Sequence, residues 1–284
     1  MSDLFDFSQR HDDYAVMGNP VAHSKSPRIH TLFAEQTGEA MHYEAIQVDP
    51  GGFPQAVGNF DASGGKGLNI TVPFKQEAWA LVNERSERAE RAGAVNTIKF
   101  IGKQLFGDNT DGIGLVNDLH SNRVPIKDKK VLLMGAGGAA RGVLAPLLAE
   151  HPAQLVIANR TAEKARELAE VFSDLGSIEG SGYEALEDKR FDLVINATAA
   201  SLQGELPPLP DNLLADGAAC YDMMYGAGPT TFMQWASAHG AATVLDGLGM
   251  LVEQAAESFY IWRGVRPETG SVIEQLRREM AASS

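Results

Sequence analysis

The chain has 284 residues, enough for one large or two ordinary domains, and its 44% apolar and 21% charged composition is that of a soluble globular protein. A formal net charge of −13 argues against broad nucleic-acid binding and against an anionic membrane surface, so an anionic substrate needs a local cationic pocket. The single cysteine, Cys220, excludes an internal disulfide, and with no charged-then-apolar leader and no run of membrane-spanning length the expectation is a cytoplasmic α/β protein, monomeric or homodimeric.

The first dozen residues are polar and read as loosely held. Tyr14-Ala15-Val16-Met17 predicts a strand that ends in the turn Gly18-Asn19-Pro20. HSKSP followed by RIHTLFAEQTG predicts a helix with Ser26 as N-cap, Pro27 in the first helical position and Gly38 as terminator. Strands are predicted for His42 to Val48 and Gly67 to Val72, with a short helix around Phe53 to Phe60 between them. Pro73-Phe74-Lys75 closes the third strand, and helical runs cover Gln76 to Asn83 and Glu84 to Ala92. AVNTIKFIGKQLFGDNTDG predicts a β-hairpin turned at Gly102-Lys103 and ending in a polar loop. From Asp111 a helix to about Asn122 leads to a strand at Val131, and strands recur near Gln154, Phe191, Ala218 and Thr243 with helices between them. That alternation implies a parallel sheet with right-handed crossovers. Pro146 is expected to bend its helix locally. The last two helices, Gly249 to Arg263 and Thr269 to Met280, are expected to return to the first domain, because DGLGMLVEQ has the polar, Gly-rich character of a cleft wall.

The most informative stretch is VLLMGAGGAAR, Val131 to Arg141. An apolar strand runs into Gly135-Ala136-Gly137-Gly138-Ala139-Ala140 and then into a helix-favouring run, the order a dinucleotide-binding βα turn requires. Gly135 allows the tight turn, Gly137 lets the backbone approach a pyrophosphate, and Ala140 lets helix and strand pack closely. The phosphates then face the unpaired N–H groups of the helix start. After the second strand, where an NAD-preferring fold places Asp or Glu, this chain has Asn159-Arg160-Thr161 and then Lys164. Two cations and no carboxylate suit a 2′-phosphate, so NADP(H) is expected over NAD(H). The competing reading is an ordinary helix start capped by Thr161, with Arg160 solvated.

Lys75, in NITVPFK, opposes the macrodipole at a helix start unless an anion compensates, and Asp111, in GDNTDG, is a candidate partner. A Lys/Asp pair is a sound proton-transfer device, because burial and a neighbouring charge tune the lysine while the carboxylate orients it. Alternatives remain: a solvated surface lysine, and a helix N-cap at Asp111 that Asn109 or Thr110 could also supply. The cysteine and the seven histidines show no metal-ligand spacing, so no metal is expected.

HSKSP, NITVPFK, AVNT, GDNTDG, GAGGAAR, NRT and DGLGMLVEQA, in this order and across nearly the whole chain, resemble the shikimate dehydrogenase family. The resemblance implies a substrate-binding domain at 1–111 and 248–284 and an inserted Rossmann-type NADP-binding domain at 112–247. It also implies reversible NADPH-dependent reduction of 3-dehydroshikimate to shikimate, a step toward chorismate and the aromatic amino acids, with closure of the two domains around the substrate. By motif match, Lys75 and Asp111 are the catalytic pair. Ser24 and Ser26 would bind the substrate carboxylate, and Asn69, Thr71, Asn96 and Gln254 its ring hydroxyls. Tyr225 matches a position near substrate and nicotinamide, Met223 and Met250 would border the nicotinamide, and Gly247 and Gly249 would let the backbone approach it.

One loop departs from the family pattern. An NATSSG-like sequence appears here as Asn196-Ala197-Thr198-Ala199-Ala200-Ser201, leaving Asn196, Ala197 and Thr198 as the expected cofactor-loop residues. Two rival functions are an NAD-using quinate/shikimate dehydrogenase and a catalytically silent ligand sensor of the same fold. Retention of both Lys75 and Asp111 speaks against the sensor.

Overall fold

The computed structural model describes residues 11–198, 200 and 204–282. Most of the polar start, and Ala199 and Ser201 of the loop after Thr198, lie outside the described residues. The chain divides into two compact units, 1–110 with 255–272 and 111–254 with 273–284.

The first unit contains strands β1 (Asp12–Gly18), β2 (Met41–Gln47), β3 (Gly67–Ile70), β4 (Glu84–Arg85), β5 (Thr97–Ile101) and β6 (Gln104–Asp108). Its helices are α1 (Ser26–Thr37), α2 (Phe53–Ala62), α3 (Lys75–Leu81) and α4 (Glu87–Ala92). The strands form one mixed sheet in the order β2-β1-β3-β5-β6-β4. β1 is parallel to both β2 and β3, and the predicted hairpin β5/β6 turns at Gly102, whose φ is +62°. Alternation along β1 sends Ala15 and Met17 to a core with Phe53 and Phe74, and Tyr14 and Val16 to one with Tyr43 and Trp262. Gly67 on β3 is required by that second core, because a Cβ would overlap the Trp262 indole, whose Nε1 donates to the carbonyl of Ile98 at 2.9 Å.

Two local expectations are corrected here. Ser26 is not the side-chain cap of α1: Ser24 Oγ accepts the N–H of Ser26 at 3.2 Å, while Gly38 does end the helix in the left-handed region at φ +72°. Glu84 and Arg85 are not helical but pair in parallel with Phe106 and Gly107, and Ser86 then starts α4 by accepting from Ala89 N. The edge of a sheet formed elsewhere in the sequence overrides the helical propensity of that run.

The second unit contains α5 (Asp111–Ser121), β7 (Lys130–Met134), α6 (Gly138–Ala149), β8 (Gln154–Ala158), α7 (Ala162–Val171), β9 (Ile178–Ser181) and β10 (Phe191–Asn196). It continues with β11 (Leu214–Asp222), α8 (Thr231–Ala238), β12 (Thr243–Leu245), α9 (Leu248–Arg263) and α10 (Gly270–Ala282). All pairings are parallel, in the order β12-β11-β10-β7-β8-β9. Numbered within the unit this is 6-5-4-1-2-3, the doubly wound nucleotide-binding order, whose switch point lies between β7 and β10. Val131 and Leu133 face Leu115, Leu144 and Leu147, while Leu132 and Met134 face Leu213, Cys220 and Phe232. Covering on both faces explains the unbroken apolar run of β7.

β9 was not among the expected strands. Its sequence, IEGS, has little strand propensity, but Gly180 lies so close to the backbone at Ala165 of α7 that no side chain fits there. The helix α9 is divided between the units, with 248–254 in the second and 255–263 in the first, and 273–284 also group with the second. This differs from the sequence division, which gives all of 248–284 to the first domain. The reason lies in particular contacts: Met250 packs in the core of the second unit and Arg277 of α10 pairs with Asp246.

Candidate functional site

The carboxyl edge of the parallel sheet gathers the expected nucleotide residues. Gly135 follows β7 with φ +104°, and Thr198 Cγ2 and the Ala197 carbonyl lie 3.2 and 3.3 Å from where a Cβ would stand. Gly137 and Gly138 have open space where a side chain would be, and Gly137 starts α6 without a side-chain cap. Ala136 and Ala139 complete this turn with small side chains. Arg141, on the first turn of α6, buries an Nε with no hydrogen-bond partner among the described residues. Unpaired N–H groups at a helix start, open space before them and a leftover cationic donor fit the pyrophosphate of a dinucleotide.

At the end of β8, Asn159 Nδ2 donates to the Thr161 carbonyl at 2.9 Å and so shapes the turn that presents Arg160. Arg160 and Lys164 are exposed and neither has an ion-pair partner among the described residues. Thr161 is the N-cap residue of α7, as the ordinary-helix-start reading has it, although its side chain makes no cap bond. Beside this turn lies a cavity of about 840 Å³ whose lining includes Asn159, Arg160, Tyr183, Thr198, the carboxylates Glu184, Glu187 and Glu205, and the Leu206–Pro210 segment. Burial pushes the Tyr183 hydroxyl up to about 12, against the opposing pull of Arg160. The lining combines one cation, Arg160, and an apolar Leu/Pro wall with the three carboxylates, so any phosphate held here sits at Arg160 and the wall takes the nucleoside.

The cofactor-loop residues differ in orientation. Asn196 is fully buried, with its Nδ2 donating to Asp222 Oδ1 at 3.1 Å and its Oδ1 accepting Thr198 N and Thr198 Oγ1 at 3.1 and 2.7 Å. It therefore fixes the loop from below, and Thr198 lines the cavity. Met223 N donates to the Asn196 carbonyl, and Gly247 N donates to the Met224 carbonyl, which brings the ends of β10, β11 and β12 together. A side chain at Gly247 would overlap the Met223 carbonyl. Met223 and Met250 are both buried in the core beneath this edge. Tyr225 is half-buried, and burial first, then the Asp246 charge, raises its pKa.

The substrate-type residues of the first unit join a buried polar network. Asn69 Oδ1 accepts from the Tyr43 hydroxyl at 2.7 Å and pairs with His30 Nε2 at 3.2 Å. Its Nδ2 donates to the Asn96 carbonyl, Thr97 Oγ1 and Ser258 Oγ at 3.3, 3.3 and 3.0 Å. Asn96 Oδ1 in turn accepts Thr110 N at 2.9 Å, and its Nδ2 donates to Thr110 Oγ1 at 3.0 Å. Burial pushes the Tyr43 hydroxyl up, opposed by a hydrogen bond with Ser26, so the network extends to the serine pair. Thr71 follows β3 and is half-buried. Lys75 is the first residue of α3, and its carbonyl accepts Val95 N at 2.9 Å. Asp111 opens α5 directly after Thr110, where a carboxylate favours the helix dipole. Gln254, in the second unit, donates to the Leu251 carbonyl at 2.8 Å. Among the described residues no group of three or more His, Cys, Asp or Glu could hold a metal ion.

His30, Tyr43, Thr97, Thr110 and Ser258 were not singled out from the sequence. His30 is readable in retrospect, because it shares the buried face of α1 with Ile29 and Phe33 while being polar. Ser258 is not, since its partners are up to 189 residues away.

A doubly wound sheet with a glycine turn and an arginine after its second strand, in one chain with a second unit that carries a buried polar network, defines a two-unit protein of the Rossmann-type, dinucleotide-binding class. Comparison with known proteins carries this to a family. Residues 16–98 match the shikimate dehydrogenase substrate binding domain, 118–203 match shikimate / quinate 5-dehydrogenase, and 247–277 match the shikimate 5'-dehydrogenase C-terminal domain. The chain is 61% identical to the shikimate dehydrogenase (NADP(+)) of Cellvibrio japonicus, over 95% of this chain and 98% of that one. It is similar in structure to the Ael1 enzyme from Pseudomonas putida, with TM-score 0.90 and 49% identity over 93% of this chain and 98% of that one. The Thermus thermophilus shikimate 5-dehydrogenase in complex with NADP(H) and shikimate gives TM-score 0.83 and 35% identity over 95% and 99% of the two chains. The chain belongs to the shikimate dehydrogenase family.

Proposed function

We infer that this chain catalyses the reversible NADPH-dependent reduction of 3-dehydroshikimate to shikimate, in the route to chorismate and the aromatic amino acids. The observation that carries the reading is the pairing, in one chain, of a dinucleotide-binding sheet edge with a buried amide-hydroxyl network running from Ser26 to Thr110, the residue before Asp111. Residues 1–111 and 248–284 serve as the substrate-binding domain and 112–247 as the NADP-binding domain, a division by role that departs from the packing units at 248–254 and 273–284. Gly135 to Ala139 take the pyrophosphate, Asn159, Arg160, Thr161 and Lys164 the 2′-phosphate end, and Asn196 to Thr198 form the cofactor loop. Met223, Gly247 and Met250 border the nicotinamide.

When bound, NADPH supplies the hydride to ring carbon 3 of the ketone. Ser24 and Ser26 bind the substrate carboxylate, and Asn69, Thr71, Asn96, Tyr225 and Gln254 orient the ring and its hydroxyls. The carbonyl oxygen gains its proton at the Lys75/Asp111 site. There the ammonium stabilises the developing alkoxide and the carboxylate holds the ammonium in place. The reverse reaction returns the proton to the same pair. A cytoplasmic location and a monomeric or homodimeric state fit this activity. Among the described residues no helix is long and apolar enough to cross a membrane.

The test is steady-state turnover of shikimate and of quinate with NADP and with NAD. NADP with shikimate is expected to give the highest kcat/KM. Arg160→Ala is expected to lower the NADP preference by about tenfold, the scale of one lost charge-assisted contact. Preference for NAD, or a loss from Arg160→Ala equal for both cofactors, would overturn the cofactor reading.

A further inference from the structure

The first N–H groups of α9 have no carbonyl of their own helix to bond, and two side chains of the second unit satisfy two of them. Asp246 Oδ1 accepts Leu248 N at 3.1 Å and the Tyr221 hydroxyl accepts Met250 N at 3.3 Å, whereas Leu251 N makes the first intrahelical bond, to Gly247. Tyr221, fully buried on β11, donates its own hydroxyl hydrogen bond to Asp118 Oδ2 of α5 at 2.6 Å. The directions are forced, because a backbone N–H only donates and a carboxylate only accepts. Asp118 is itself buried and its Oδ1 accepts from Asn122 Nδ2 at 2.9 Å. Burial raises the Asp118 pKa and the Tyr221 hydrogen bond opposes that shift. The helix start lies so close to this carboxylate that a Cβ at Gly249 would overlap it.

We propose that Tyr221 and Asp118 are positioning residues for the nicotinamide half of the cofactor, acting through the backbone of Gly249 and Met250. The proposal rests on the reading that Met250 and Gly247 border the nicotinamide. It gains independent support from the bonds of the same segment to β10 and β11. Gly247 is tied to Met224 and packed on the Met223 carbonyl, and Met223 is tied to Asn196, so a shift at the start of α9 reaches both methionines. The adenosine-side residues, Arg160 and Tyr183, make no contact with this relay among the bonds described.

The experiment uses full-length Tyr221→Phe, which removes one oxygen and keeps the packed ring. Binding of NADPH, of NADH and of adenosine 2′,5′-bisphosphate is measured by titration calorimetry, with hydrogen exchange of the Met250 amide and thermal unfolding alongside. The expected result is faster exchange at Met250 and dinucleotide binding weakened about fivefold or more, by the same factor for NADPH and NADH, with the bisphosphate unaffected. A purely stabilising role would lower the unfolding temperature without separating the two halves of the cofactor. Unchanged dinucleotide affinity, or an equal loss of bisphosphate binding, would overturn the proposal. Should Tyr221→Phe fail to fold, Asp118→Ala, which removes the acceptor of the Tyr221 hydroxyl, is read by the same ratio. Met250→Ala separates the two levels of the argument. Undiminished NADPH binding in that variant would overturn the nicotinamide reading itself, whereas a loss there with none in Tyr221→Phe would overturn only the positioning role.

Discussion

Asn69 can be turned only one way. Its Nδ2 faces the Asn96 carbonyl, so its Oδ1 faces His30 and Tyr43, and His30 must carry its proton on Nε2. His30 Nδ1 is left buried without a partner among the described residues. Burial holds the imidazole neutral, with its pKa lowered from 6.5 to about 3, against the smaller pull of the Asn69 bond. Between those two values the unfolded chain binds a proton that the folded chain refuses. The contribution of His30 is therefore full above the unfolded pKa and is lost as pH falls toward the folded one. The expected slope is about 1.4 kcal/mol of unfolding free energy per pH unit, present in the protein and absent from His30→Gln. Urea denaturation of both between about pH 6 and pH 4.5 checks this, and parallel curves would refute it. The sequence shows a histidine on a helix but not the asparagine that fixes its tautomer, 39 residues away.

At the scale of elements, Arg88 ties α4, β6 and the part of α9 in the first unit. Its guanidinium donates to both oxygens of Asp108 at 2.7 and 2.8 Å and to Glu257 at 2.9 Å. Burial alone would lower its pKa, but the two carboxylates more than offset this and the pKa is raised. Asp108 also accepts from Ser86 Oγ and from Asn109 N, so the segment that leads to Asp111 is held at its root. Arg88→Ala leaves two largely buried carboxylates short of a partner and is expected to cost about 3 kcal/mol in urea denaturation at neutral pH. A loss below about 1 kcal/mol, the range of an exposed pair, would contradict it. Elements with their own periodicity or punctuation were legible: the apolar run of β7, Gly38 after α1 and the Gly102 hairpin. β4 and β9 were not, because each exists only as an edge added to a neighbour, and Gly180 reads as a loop residue until α7 packs on it. The Ser26 cap was misread for a related reason: the N-cap position falls at Lys25, with no side-chain cap bond, and Ser26 is already the first residue of α1.

For the whole molecule, the glycine turn and the residues after β8 announce the nucleotide edge in one short stretch each, so that half of the candidate site was legible locally. The rest is assembled from Ser26, Asn69, Asn96 and Thr110, which meet only through folding of the first unit. Their neighbours in sequence carry no signal of it, and they were reached through the family resemblance instead. Lys75 and Asp111 are separated along the chain in the same manner, each at the start of a helix, α3 and α5. The account makes them act on one carbonyl oxygen. The measurement that bears on this most directly is steady-state reduction of 3-dehydroshikimate by Lys75→Ala, with NADPH affinity determined on the same preparation. The expected result is a fall in kcat of about a hundredfold or more with NADPH affinity unchanged. Turnover close to that of the unmodified protein would remove Lys75 from the chemistry and the proposed proton-transfer site with it.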